Sequence, residues 1–145
     1  MRRVLAALVL AVLLTGCREV RVNQVRSGTT PVTGSREVVV VRDRKSLEAL
    51  GVAQPMDFRH EFAVVLLMGP HKDLGWSQIT ESIRANSDRV RVVAFERGPL
   101  DGGEAAPKEY RTFTIWVIPN AVYRAGAQIE VVTPSGETIA ATTLR

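Results

Sequence analysis

Phe62-Ala63-Val64-Val65-Leu66-Leu67-Met68 runs without a polar side chain and stops at Gly69-Pro70. A half-covered strand alternates, and an amphipathic helix places a polar residue within each turn. A short unbroken apolar run closed by Gly-Pro therefore predicts a central strand covered on both faces. Its surroundings agree. Val38-Val39-Val40-Val41, between Glu37 and Arg42, is a β-branched run. Asp43 then stands as a helix N-cap, Leu47 and Leu50 follow at helical spacing, and Gly51 ends the pattern, which predicts one short helix. Val90, Val92 and Ala94 alternate with Arg91, Val93 and Phe95, and Phe113, Ile115 and Val117 alternate with Thr112, Thr114 and Trp116 until Pro119-Asn120. Both stretches have the period of a strand. Gln128 to Thr133 and Glu137 to Thr142 flank Pro134-Ser135-Gly136 as a closing hairpin. Ile79 and Ile83, four apart, share one face of a strand or a helix and are read as strand. Period-two runs outnumber the helical one. The expected fold class is mainly β: an antiparallel β-sandwich or partly open barrel of about 7 strands with one short α-helix near residues 44 to 50.

The N-terminus reads differently. Met1-Arg2-Arg3 precedes the apolar run Val4 to Leu14, and Leu14-Thr15-Gly16-Cys17 closes it. A basic start, an apolar stretch too short for the roughly 20 residues of a membrane span, and small residues before a cysteine make a lipoprotein signal. Cys17 is the expected lipidation site. Each buried methylene of an acyl chain adds about 0.8 kcal/mol, so two or three chains such as palmitate hold a protein on a membrane. The expected location is the cell envelope, outside the cytoplasm, and Arg18 leaves outer-membrane sorting open in a Gram-negative cell. The expected division is residues 1–16 as signal peptide, 17–35 as lipidated Cys17 and a flexible tether rich in Ser, Thr and Gly, and 36–145 as a single β-rich domain.

The mature domain offers little for catalysis. Cys17 is the only cysteine, so lipidation leaves no disulfide and no thiol nucleophile. Removing residues 1–16 takes 19 basic residues against 15 acidic to 17 against 15. A nucleic-acid role would need a concentrated basic and aromatic face, and none is apparent. His60-Glu61 resembles the start of a zinc-protease motif, yet Val64 stands where the second histidine ligand belongs. His71, after Gly69-Pro70, reads as an exposed loop histidine. Asp101, Glu104 and Glu109 share a loop with Gly and Pro, which describes solvated carboxylates better than an acid–base pair. The expectation is a protein that is not an enzyme and has no metal and no cofactor.

From Met56-Asp57-Phe58 through Glu61 and the apolar strand to Gly69, the chain resembles the PrcB C-terminal domain family, whose name comes from a subunit of a bacterial protease complex. Val90 to Glu96, Pro99 and Ile118-Pro119-Asn120 follow in the family's order, so the resemblance runs from Asp57 to Asn120. Leu74-Gly75-Trp76 stands where the family has a Gly-Gly-Tyr-like turn, and Asn120 replaces its terminal lysine. The resemblance implies a lipid-anchored envelope protein-interaction module that binds or stabilises a partner, with a protease as the named candidate. The alternative is a chagasin-like protease inhibitor, which also presents Gly-containing and aromatic loops from a β-sandwich. The partner-binding candidates are His71, Lys72, Leu74, Gly75 and Trp76, on a loop joining two fixed elements. Trp76 has two readings, folded back onto the core or exposed as an interface anchor, and the first is favoured. The loop from Gly98 to Lys108 is a second candidate contact surface.

Overall fold

Residues 62–68 form the middle of strand β3 (Glu61–Asp73), and both of their faces are covered. Phe62, Val64, Leu66 and Met68 enter one apolar cluster, while Ala63, Val65 and Leu67 enter another. Alternation explains the split, because successive side chains of a strand point to opposite faces. The computed structural model describes Val22 and residues 24–145. Its elements are β1 (Gln24–Thr30), β2 (Glu37–Val41), α1 (Arg44–Ala49), β3, β4 (Ser77–Ala85), β5 (Arg89–Arg97), β6 (Ala105–Pro119), a 3-10 turn (Asn120–Val122), β7 (Gln128–Val132) and β8 (Thr138–Thr143).

Two four-stranded sheets, ordered β1-β6-β3-β2 and β4-β5-β7-β8, pack face to face as a sandwich and do not close into a barrel. Between them lie Phe62, Val64, Leu66, Trp116 and Ile118 from the first sheet and Val90, Val92, Ile129 and Val131 from the second. The outer face of the first sheet is covered in turn by Leu47 of α1, Val52, Met56 and Phe58. The helix is the one expected. Asp43 caps it by accepting the Ser46 N–H at 2.8 Å, and only Leu47 is buried. The closing hairpin is present as β7 and β8. The pairings are antiparallel except β5 with β7. That parallel pair arises because β6 lies in the opposite sheet and carries the chain back to the end where β5 began.

Four expectations need correction. Residues 24–30, read as tether, form β1, whose backbone pairs with β6 from Gln24↔Val117 to Thr30↔Arg111. The loop that follows is also held. Arg111, 2% exposed, donates from Nε to the Val32 carbonyl at 2.8 Å and from Nη1 to the Ser35 carbonyl at 2.9 Å and to Glu37 at 2.8 Å. Ile79 and Ile83 do not share a face, because β4 bulges between Thr80 and Ser82. Gln78 and Thr80 reach inward to Thr112 and Trp116, whereas beyond the bulge Ile83 packs on the inter-sheet core. β3 does not end at Gly69-Pro70. A register shift there, at a cis peptide bond, lets it continue to Asp73, pairing His71 with Tyr110 and Asp73 with Ala105. β6 correspondingly begins at Ala105, so the second loop is shorter than expected and spans residues 98–104.

Candidate functional site

At one end of the sandwich, β3 and β6 run past the ends of β1 and β2 and meet the tops of β4 and β5. There His71, read as an exposed loop residue, is a half-buried strand residue whose side chain is 10% exposed. Its Nε2 lies 2.6 Å from Oε1 of Glu96 on the opposite sheet. The same oxygen accepts the Thr112 hydroxyl at 2.5 Å. That hydroxyl accepts Gln78 Nε2–H at 3.0 Å, and Gln78 also donates to the Leu66 carbonyl at 3.3 Å. The four side chains come from β3, β5, β6 and β4, so the network crosses between the sheets three times. A carboxylate at this depth is tolerated because the His71 ring and the Thr112 hydroxyl both reach it. Gln78 Oε1 is buried without a partner.

The imidazole is fixed on its faces as well. Trp76 stacks on it with centroids 4.5 Å apart and planes 11° from parallel, and Tyr110 lies at 5.7 Å. Tyr110 donates its hydroxyl to the Asp73 carbonyl at 2.7 Å, which holds the strand end. Gly98 leaves room for the ring of Trp76, since a Cβ there would lie 3.2 Å from it. Trp76 is therefore half-buried support for the loop, stacked on His71 and outside both apolar clusters. The Thr112 hydroxyl donates to the same Glu96 oxygen that the imidazole meets, so the carboxylate ties the two side chains together. Among the described residues no cluster of His, Cys, Asp and Glu is suited to a metal ion.

Above this support sits the tip. Leu74 N–H donates to the Glu104 carbonyl at 2.7 Å, and Pro99 packs on Gly75 so closely that a Cβ there would come within 2.9 Å. The two loops proposed as separate surfaces are thus one surface. Leu74, 42% exposed, and Leu100, 95% exposed, are its outward apolar side chains. Among the candidates, His71, Gly75 and Trp76 build the tip and Leu74 projects from it. Lys72 points outward on β3 and pairs with Glu109 at 3.6 Å, both side chains being well exposed. An ion pair of that kind contributes about 0–1 kcal/mol. Asp101 and Glu104 are exposed on the tip, and Glu109 lies on β6. Cys17 lies outside the described residues.

His60, at the far end, is the exposed histidine, 78% accessible and bonded through Nδ1 to Asp57 at 2.8 Å. Arg59 and His60 together hold the Asp57 carboxyl well below the usual carboxylate range. Glu96, Thr112, Gln78 and Leu100 escaped the sequence reading. The signal for Glu96 was its parity, since it continues the inward series Val90, Val92, Ala94. Family models, curated proteins and solved structures offer no match to this chain.

Proposed function

We propose that this chain is a lipid-anchored envelope protein-interaction module of the PrcB-like kind, which binds or stabilises an envelope protein partner, with a protease as the candidate, through the tip formed by residues 73–76 and 98–104. The observation that carries this reading is the apolar pair Leu74 and Leu100 on two loops locked to each other and to a stacked His71–Trp76 base. Apolar side chains on a rigid support contribute to binding without a large ordering cost, the arrangement found at interface centres. The anchor in this reading is Cys17, and no catalytic step, cofactor or nucleic acid is invoked.

The test uses the acylated chain and the partner that copurifies with it from envelope extract. Replacing Leu74 by Ser and Leu100 by Asp should leave thermal stability within about 0.5 kcal/mol of the parent, as for exposed sites, and weaken capture at least tenfold. Cys17→Ala should move the protein out of the membrane fraction while leaving capture intact. Equal capture by the tip variant sinks the reading. If the partner is a protease, its activity separates the two classes: an inhibitor blocks substrate cleavage when added in excess, whereas an interaction module leaves it unchanged or raises it.

A further inference from the structure

The end of the sandwich opposite the tip gathers the start of β1, the end of β2, the starts of β3, β5 and β7 and the ends of β4, β6 and β8. The two sheets meet there through Tyr123, whose ring abuts Phe62 at 5.6 Å, lies under Arg42 at 4.1 Å and bonds the Arg145 carbonyl. This end is cationic. Arg42, Arg44, Lys45, Arg89, Arg124 and Arg145 are all exposed on it. Of the nearby acids, Asp43 caps α1, Asp57 holds Arg59 and Asp88 faces Arg124 at 3.8 Å, while Glu48 is exposed one helical turn beyond Arg44. The tip end is close to balanced, with Asp73, Asp101, Glu104 and Glu109 exposed beside Lys72, Arg97 and Lys108. The cationic excess thus lies at the opposite end.

The path of the chain points the same way. β1 begins at Gln24, opposite Val117 near the end of β6, so the chain joins the sandwich at its cationic end. Only residues 18–23 separate Gln24 from Cys17, a path of seven residue steps that reaches at most about 25 Å fully extended. It adds Arg18 and Arg21 against Glu19. A domain attached to lipid at Cys17 is therefore held close to the headgroups by the end that carries its cations.

We propose that this cationic end is a docking face for anionic phospholipid headgroups, and that docking turns the Leu74–Leu100 tip away from the bilayer. The proposal rests on the acylation of Cys17 for the anchor and takes its binding energy from charge. Near an anionic surface each basic side chain strengthens attraction roughly fivefold, within a Debye length of about 10 Å at 0.1 M salt. The partner site and the membrane site then lie at opposite poles and do not compete.

Fluorescence energy transfer to headgroup-labelled lipid tests this on the acylated protein, with a dye on a new thiol at the cationic end (Ala121→Cys) or at the tip (Leu100→Cys). In phosphatidylglycerol-containing vesicles, transfer from position 121 should exceed that from position 100 at least about twofold. It should fall to the phosphatidylcholine level at about 0.5 M salt, where charges are screened within roughly 4 Å. Combining Arg44→Glu, Lys45→Glu and Arg124→Glu should abolish the difference, while Lys72→Glu with Lys108→Glu should not. Transfer that ignores lipid charge, or survives the triple reversal, overturns the proposal. Equal competition by duplex DNA at matched phosphate also overturns it, because the face would then take any polyanion. A parent chain that takes up dye at Cys17 marks failure of the acylation reading alone. Docking is then judged by sedimentation of the Cys17→Ser chain with the same two vesicle types, where only a salt-sensitive preference for phosphatidylglycerol supports it.

Discussion

Glu96 takes the next inward step after Val90, Val92 and Ala94, so the alternation that builds β5 also drives a carboxylate into the end of the sandwich. That is costly unless partners reach it, and His71 and Thr112 both do. His71→Ala should therefore cost about 2–4 kcal/mol in urea unfolding with little change in slope, since it strands Glu96 and removes the stacking partner of Trp76. Changing Glu96 to Leu in the His71→Phe background should recover part of that loss, because a packed apolar pair escapes desolvation. An unchanged stability in His71→Ala would mean the clasp contributes nothing. The parity of Glu96 was legible in the sequence. Its partner was not, because Gly69-Pro70 reads as the end of β3, and only the register shift beyond it turns His71 inward.

β6 shows the same limit at the level of an element. Phe113 to Val117 announces itself by alternation, yet Ala105 to Glu109 contains Pro107, Lys108 and Glu109 and has the composition of a loop. It is strand because β3 supplies a ladder on one side, and an edge position accepts proline. Between these stretches, Arg111 organises a segment that composition assigned to the tether. Its guanidinium satisfies two carbonyls and Glu37, with Gly34 packed close enough that a Cβ would meet Nη1 at 2.9 Å. Arg111→Leu should lower stability by about 3 kcal/mol, since three hydrogen bonds netting about 1 kcal/mol each are lost. It should also open residues 31–36 to proteolysis while β3 and β6 stay paired, readable by limited digestion alongside circular dichroism. Resistance equal to the parent would show that β1 and β2 hold the loop unaided.

For the molecule as a whole, the sandwich class and helix α1 were legible because the apolar periods that specify them lie within single segments. The domain boundary was not. Gln24-Val25-Arg26-Ser27-Gly28-Thr29-Thr30 has one large apolar residue and no strong alternation, so nothing local marks it as strand. What makes it one is β6: Ser27 meets Thr114 at 2.9 Å, Gly28 admits the ring of Phe113, and the Thr30 hydroxyl reaches the Leu50 carbonyl at 2.7 Å beside α1. β1 thus ties the first sheet to its helical cover and fixes which pole of the sandwich receives the chain. A fragment beginning at residue 36 should unfold about 2–4 kcal/mol more easily than one beginning at residue 22. That figure is a ladder of bonds netting about 1 kcal/mol each, less the entropy of ordering the strand. The shorter fragment also bares the β6 edge, so it should self-associate as concentration rises. Matching urea midpoints for the two fragments, with both monomeric by sedimentation, would return residues 24–35 to the tether and remove the short leash that holds the cationic end at the membrane.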